Sequence, residues 1–296
     1  MVADPALYPY STYSKLINTV SQGSWSTAGQ KIIWEFDVES AGYYKLGFRY
    51  CQDSNVNKTV FREIEIDGTV PYSELSQVQF PYTGSSKYEN LVVSDGDKAL
   101  SVYLEKGHHT IAMRAVSGEY ADVYNDVRAL MNDISELGMH LQKLTAGSDD
   151  PNRTWDMEAY VPDAVERIEG FADRIDAIYG DLEKIAGCTP SFASNLIYAA
   201  DTLRDLTEES EKIPNKTEQL HAGDSSANKY LGTVLTSLTS HGLSLDRIYV
   251  CANDKLIPKA SGNVFVKIVD TVKAFIYSFV ADSASDYSTD SDNDEE

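Results

Sequence analysis

The chain has 296 residues, of which 42% are hydrophobic and 24% charged, a composition typical of globular proteins with two domains. Its formal net charge of −21 opposes binding to nucleic acid or to anionic membrane surfaces, since both carry dense negative charge. No apolar run is long enough to span a bilayer, and the first ten residues lack the basic start and apolar core of a signal peptide. This fits either a cytoplasmic protein or a segment of an exported one.

Residues 1–118 show the two-residue periodicity of β-strands. Turn sequences such as SAG and EKG separate the alternating segments, and no helical pattern intervenes. This predicts an antiparallel β-sandwich of the jelly-roll type over residues 1–118. The side chains that share a face in each segment are Ile32, Trp34, Phe36 and Val38; Tyr44, Leu46, Phe48 and Tyr50; and His109, Ile111, Met113 and Ala115.

One arginine interrupts the apolar face of a predicted strand. In VFREIEIDG (60–68), Arg62 lies in phase with Val60, Ile64 and Ile66. Burying a guanidinium without partners costs more than a typical side-chain contact returns. Two interpretations stay open: Arg62 is the polar anchor of a binding site, or it is a structural group satisfied by a carboxylate and loop carbonyls.

Sequence motifs for catalysis are missing. The chain has no Walker A loop, no G-x-G-x-x-G, no G-x-S-x-G and no Cys/His set at metal-ligand spacing. Glu63, Glu65 and Asp67 share one face of a predicted strand, as a glycosidase carboxylate pair would. Alternate strand positions that face solvent explain these acids more simply.

After residue 118 the apolar period becomes helical. Narrow apolar stripes predict four or five helices and therefore an antiparallel α-helical bundle over residues 119–281. Within that range, residues 243–250 alternate again and predict a short extended segment. Residues 282–296 carry acids without bases and predict a disordered tail. The stripes comprise Val123 to Leu144, Val165 to Ile185, Phe192 to Leu206, Tyr230 to Leu238 and Phe265 to Phe279.

Aromatic residues outside the strand phase are the candidate ligand contacts. Tyrosine occurs 19 times, and several tyrosines lie in loop-like segments of the first domain. An aromatic ring offers a face to the apolar side of a sugar, and the tyrosine hydroxyl offers a hydrogen bond. Tyrosines half-buried at strand ends are the alternative. The candidate ligand-binding residues are Trp25, Tyr72, Tyr82, Tyr88 and Asn90, with Trp25, Tyr82 and Tyr88 expected at one end of the sandwich.

Nearly the whole chain resembles one family. It is similar to the carbohydrate-binding-module-like β-sandwich and helical region of large extracellular solute-binding proteins, which serve sugar-import ABC transporters of Gram-positive bacteria. The runs that carry the resemblance are W-x-F-x-V (34–38), AGYYKLGFRY (41–50), VFREIEIDGTVPYSE (60–74), FPYT (80–83), VYLEKGHHTIAMRA (102–115), NDISELGMHLQKLTAGSDDPNRTWDMEAYVPD (132–163), LGTVLTSLTSHGLSLDRIYV (231–250) and AFIYSFVAD (274–282).

The resemblance implies a non-enzymatic, carbohydrate-binding accessory segment that is extracellular and attached to the cell surface through its parent protein. The implied partners are an oligo- or polysaccharide and the solute-binding lobes of the parent, which this chain lacks. Nucleic acid, membrane insertion, cofactors and metals are not expected. Arg62 and Asp67 lie within a motif of the sandwich itself, so the resemblance assigns them structural roles. A purely structural spacer and a glycan-active enzyme domain remain as alternatives.

Overall fold

A computed structural model describes residues 19–145 and 153–257. Its first part is built from short antiparallel strands, as the alternating pattern predicts. The strands are β1 (Lys31–Val38), β2 (Gly42–Cys51), β3 (Val60–Ile66), β4 (Val78–Phe80), β5 (Glu89–Val92), β6 (Ser94–Asp95), β7 (Lys98–Ala99), β8 (Ser101–Leu104), β9 (Gly107–Val116) and β10 (Ser244–Ala252).

Two antiparallel sheets form a sandwich. One sheet has the strand order β1-β9-β3-β4, and the other has the order β10-β2-β5 with β8 also paired to β2. The inward side chains are the in-phase residues of the sequence, such as Phe48 on β2, Ile64 on β3 and Ile111 on β9, and they form one buried apolar cluster. The core therefore follows directly from the two-residue period.

The strand β10 comes from beyond the helices. It pairs antiparallel with β2 over most of its length, with a bulge between Leu245 and Arg247. Residues 243–250 were expected to be extended, but they were placed inside the bundle range of 119–281. That range therefore includes a strand of the sandwich, and the predicted sandwich range of 1–118 omits it. Sequence order alone does not separate the two parts, because pairing with β2 decides where β10 belongs.

The second part is a helical bundle. Helix α1 packs on α3 and α6, and α4 packs on both α3 and α6, so these four helices surround a single apolar core. The helices are α1 (Tyr120–Thr145), α2 (Met157–Tyr160), α3 (Ala164–Ala186), α4 (Ser194–Glu208), α5 (Glu218–His221) and α6 (Ala227–Leu238), with 3₁₀ helices at Ser73–Ser76, Ser191–Ala193 and Ser210–Lys216.

The loop between β2 and β3 joins the sandwich to one end of the bundle. Val56 O accepts a hydrogen bond from Ser191 N ahead of α4, at 3.1 Å. The buried Lys58 Nζ donates to Leu238 O, at 3.1 Å, and to the carbonyls of Ser237 and Ser240. Burial lowers the pKa of Lys58 to about 7, while these carbonyls at the C-terminal end of α6 favour its charged form.

A glycine makes the connection from β9 to α1 possible. Gly118 has φ +58°, and a Cβ added there would lie 2.4 Å from the ring of Phe61. Phe61 points away from the sandwich core and packs edge-on against Tyr120 at the start of α1, with ring centroids 5.6 Å apart. The close approach of this ring to the chain excludes any side chain at residue 118.

We expect Gly118→Ala to lower the free energy of unfolding by about 2 kcal/mol, because the new methyl group meets the Phe61 ring in a strained backbone conformation. Gly170→Ala is the matched control, since a Cβ at this helical glycine meets nothing within 4 Å. That substitution should stabilise by up to about 1 kcal/mol through helix propensity. Urea denaturation of both variants measures the difference, and equal effects would contradict the packing argument.

The predicted fold class, an antiparallel β-sandwich followed by an antiparallel helical bundle, is confirmed. None of the helices among the described residues has the length and apolar character needed to cross a membrane. The predicted tail (282–296) and the helix predicted from Phe265 to Phe279 lie outside the described residues.

Candidate ligand-binding cleft

Arg62 is fully buried, as its phase in the strand predicts. Its guanidinium donates to Phe61 O at 2.9 Å, to Trp25 O at 3.3 Å and to His241 O at 2.7 Å. Within the described residues no carboxylate pairs with it, so its hydrogen bonds go to backbone carbonyls alone, and its Nε has no hydrogen-bond partner there. Burial lowers its pKa to about 9.

Trp25 lies inside the sandwich and is 1% exposed. Its indole Nε1 donates to Gln30 O at 3.2 Å, and the Arg62 guanidinium lies over its ring, 4.1 Å from the centroid. The prediction that Trp25 presents its ring to a ligand is therefore wrong. A glycine-flanked segment suggested an exposed loop, but that segment folds inward, where the buried guanidinium provides a partner for the ring.

A cleft of about 450 Å³ opens along one edge of the sandwich. It lies between β1 and β10, which are the edge strands on the same side of the two sheets. Cavities of roughly this size are typical of small-molecule sites. Its lining residues are Thr19, Val20, Trp34, Glu35, Phe36, Ile111, Leu245, Asp246, Arg247, Ile248 and Val250.

Trp34 is the largest side chain in the cleft, and the core supports it from behind. Its ring meets that of Trp25 edge-to-face, with centroids 6.3 Å apart and planes at 71°. Trp25 in turn lies against Arg62, so the buried arginine is connected to the cleft through two rings that meet edge-to-face. This contact chain gives Arg62 a positioning role at the cleft without any direct contact to a ligand there.

Phe36 forms the second aromatic part of the cleft and is supported by His109. The two rings lie 5.8 Å apart on paired strands. His109 Nδ1 lies 2.7 Å from Asp67 Oδ2, and its Nε2 lies 2.9 Å from Glu105 O. Both oxygens accept hydrogen bonds from N–H groups of the protonated ring, so the hydrogen bond to Asp67 and that to Glu105 raise the pKa of His109.

Asp67 fixes the turn that follows β3. Its φ is +50°, and its Oδ1 accepts a hydrogen bond from Thr110 N at 2.8 Å. Burial opposes ionisation of this carboxyl, but the hydrogen bonds from Thr110 and His109 prevail and lower its pKa. The contacts of Asp67 therefore orient His109, and through it Phe36.

The other predicted ligand contacts, Tyr72, Tyr82, Tyr88 and Asn90, are not among the residues that line the cleft. Tyr88 lies over Arg49, with the guanidinium 4.7 Å from its ring centroid, and Asn90 is the strand partner of Arg49. Tyr82 lies half-buried in the loop between β4 and β5. Tyr72 donates to Ser101 O at 3.1 Å. Because Trp25 is buried, it does not join Tyr82 and Tyr88 in the exposed aromatic cluster expected at one end of the sandwich.

The acidic face of β3 is neutralised by neighbouring bases. Glu65 pairs with Lys31 at 2.6 Å and with Arg114 at 3.1 Å, and Arg114 also pairs with Glu63 at 3.2 Å. The hydrogen bond from Lys31 is the main cause of the lowered pKa of Glu65. A carboxylate held ionised in this way is a poor general acid. Over residues 19–145 and 153–257, no three potential metal ligands lie close enough to hold an ion.

Comparison with known families concerns the bundle first. Residues 122–238 match the family described as bacterial solute-binding protein, 4-helix bundle domain. This confirms the resemblance of the helical region to solute-binding proteins. The search of curated proteins found no match.

Solved structures similar to the sandwich include carbohydrate-binding modules. A family 35 carbohydrate-binding module from Clostridium thermocellum is 20% identical with a TM-score of 0.26, over 33% of this chain and 77% of that one. One from Paenibacillus barcinonensis is 21% identical with a TM-score of 0.25, over 34% of this chain and 80% of that one.

A cycloisomaltooligosaccharide glucanotransferase from Paenibacillus sp., complexed with cycloisomaltoheptaose, is 22% identical with a TM-score of 0.27. That match covers 36% of this chain and only 14% of the glucanotransferase. At these identities and TM-scores the structural likenesses support no conclusion about ligand or activity.

Proposed function

We propose that this chain is a non-enzymatic, carbohydrate-binding accessory segment of an exported solute-binding protein that serves an ABC-type sugar importer. The observation that carries the proposal is the match of residues 122–238 to the helical bundle domain of bacterial solute-binding proteins. The parent protein would lie outside the cell and hold this segment at the cell surface. Its solute-binding lobes are the partners proposed for the bundle.

The cleft between β1 and β10 is the proposed carbohydrate site. Trp34 and Phe36 occupy alternate positions of β1, so both rings face the same side of the strand and line the cleft together. Each ring is supported by a neighbouring ring, Trp34 by the buried Trp25 and Phe36 by the half-buried His109. Rigid aromatic rings beside polar groups suit sugars, which combine apolar C–H faces with hydroxyls. A half-open cleft should bind weakly, with Kd of about millimolar to high micromolar.

The test is binding of the purified chain to a glycan array, followed by calorimetric titration of the glycans retained. Trp34→Ala should weaken binding about tenfold or more, because it removes the largest apolar contact in the cleft. Tyr43→Ala is the matched control, since Tyr43 is 58% exposed on β2 and lies outside the cleft. Thermal melting of each variant checks that it is folded.

Absence of binding to every glycan would overturn the proposed carbohydrate function. Unchanged binding by Trp34→Ala, together with loss in Tyr43→Ala, would move the site to the exposed face of the second sheet. There Tyr43 and Tyr103 form a pair with ring centroids 5.2 Å apart.

One feature favours the spacer as the second candidate. The sandwich and the bundle meet through buried contacts, in which Lys58 bonds to α6 and Phe61 packs against Tyr120. These contacts fix the orientation of the sandwich relative to the bundle. A spacer needs such a fixed orientation, whereas a ligand-binding module on a flexible linker does not. A chain that binds no glycan and keeps this joint would fulfil the spacer function.

A further inference from the structure

Both sides of the cleft lead back to one buried guanidinium. On the β1 side, Trp34 is backed by Trp25, whose ring and carbonyl oxygen both lie against Arg62. On the β10 side, Arg62 donates to His241 O at 2.7 Å, shortly before β10 begins at Ser244. Arg62 therefore holds the support of one side of the cleft and the start of the other.

Residues 239–243 connect α6 to β10 without slack. His241 N donates to Ser26 O at 2.8 Å, and Leu243 is fully buried. Gly242 between them has little spare room, because a Cβ added there would lie 3.3 Å from neighbouring atoms. Since hydrogen bonds and packing hold this connection at successive residues, a displacement at the end of α6 is passed on to the start of β10.

Lys58 fixes the other end of this connection. Its Nζ donates to Leu238 O at 3.1 Å and to the carbonyls of Ser237 and Ser240, all at the end of α6. Lys58 lies in the loop between β2 and β3 and is not among the residues that line the cleft. A sandwich residue outside the cleft therefore holds the bundle helix in the position from which β10 starts.

We infer that the C-terminal end of α6 sets the geometry of the cleft, so that the position of the bundle and the occupancy of the cleft are coupled through Lys58 and Arg62. This inference rests on the proposed function and deepens it by naming what regulates the same site. Coupling between two equilibria is reciprocal, so a bound glycan stabilises the contact at α6 by the factor by which that contact favours the glycan. A partner that docks on the bundle and shifts α6 would thereby change how firmly the cleft holds its glycan.

The first test needs no glycan and uses Lys58→Met, which keeps an apolar side chain in place and removes the three hydrogen bonds to α6. The amides of His241 and Leu245 should exchange with deuterium about fivefold faster or more, the effect of losing roughly one buried hydrogen bond. Acrylamide should quench the tryptophan fluorescence more strongly, because Trp34 loses its fixed position. Lys143→Met is the matched control, exposed in the last turn of α1, and should change neither measurement.

The second test shifts the connection without removing a charge. Gly242→Ala adds a methyl group that presses on atoms 3.3 Å away, whereas Gly232→Ala in α6 is the matched control, because its nearest neighbour lies at 3.9 Å. In calorimetric titration with the glycan that the array retains best, Gly242→Ala and Lys58→Met should each weaken binding about fivefold. Gly232→Ala and Lys143→Met should bind as the parent chain does.

The outcomes separate this inference from the proposed function. Unchanged exchange at His241 and Leu245 in a folded Lys58→Met chain would overturn the coupling, whether or not a glycan binds. If exchange rises but the parent chain binds no glycan, the carbohydrate function fails while the coupling of α6 to the cleft stands. If both folded variants bind glycan as tightly as the parent, the coupling is overturned and carbohydrate binding stands. Should Lys58→Met not fold, the same exchange measurement on Gly242→Ala decides.

Discussion

Replacing Arg62 by alanine should lower the free energy of unfolding by about 3–5 kcal/mol. The substitution deprives the buried carbonyls of Trp25 and His241 of a donor and opens a cavity beside the Trp25 ring. It also removes the support of Trp34, so glycan binding should weaken together with stability. Chemical denaturation followed by tryptophan fluorescence measures the first effect, and titration measures the second.

Arg62→Met separates packing from hydrogen bonding. A methionine keeps the apolar contact with Trp25 and no longer buries a charge, so its loss of stability should be smaller than that of Arg62→Ala. Arg128→Ala on the exposed face of α1 is the control for loss of an arginine and should have little effect. A folded Arg62→Ala chain with unchanged stability and lost glycan binding would instead make Arg62 a ligand contact.

Acid should weaken the contact between the sandwich and the bundle through His241. Burial, with smaller effects of the positive charges on Lys58 and Arg62, lowers the pKa of His241 to about 4. The pKa of this imidazole in the unfolded chain is 6.5. At pH values between 4 and 6.5 the unfolded state therefore binds more protons than the folded state. The stability that neutral His241 contributes is present above pH 6.5 and is lost as the pH falls through 4, by about 3 kcal/mol.

Lys58 acts in the same direction at higher pH. Its folded pKa of about 7 lies below the unfolded 10.5, so its contribution is present above pH 10.5 and is lost as the pH falls through 7. Protonation of either Lys58 or His241, which lie where the sandwich meets the bundle, therefore lowers the stability of the folded chain. Neither has a carboxylate partner among the described residues.

The pH experiment compares unfolding free energies at pH 7 and pH 4 for the parent chain and His241→Gln. The variant should lose about 3 kcal/mol less than the parent over this interval, because glutamine does not titrate. His140→Gln on the exposed surface of α1 is the matched control and should follow the parent. Parallel pH profiles for the parent and His241→Gln would show that His241 titrates as an ordinary surface histidine.

The sequence predicts the core of each part well, because local periodicity records which side chains face inward. Arg62 is buried since it shares the phase of Ile64, and the heptad-like stripe from Val123 to Leu141 is the buried face of α1. The same pattern placed Trp34 and Phe36 on an inward face of a strand. It gave no indication that this strand would lie at an edge of its sheet, where inward side chains become partly exposed.

The exposure of the ligand candidates depends on a different physical cause, and among them the structure contradicts the exposure of Trp25. Trp25, Tyr72, Tyr82 and Tyr88 were selected because their surroundings look like loops, and loops lie on the surface more often than not. Whether a loop residue is exposed depends on distant groups. Trp25 is buried because Arg62 needs its carbonyl and ring, and those two residues are 37 positions apart.

The sequence by itself determined that residues alternate before Gly118 and recur helically after it, and therefore that a sandwich precedes a bundle. The tertiary structure alone decided that β10 returns from beyond the bundle to pair with β2. That pairing puts Ile248 and Val250 opposite Trp34 and Phe36 and so creates the cleft. The physical reason is that periodicity reports the environment of each side chain, whereas strand partners are chosen by packing between segments about 200 residues apart, which no local pattern encodes.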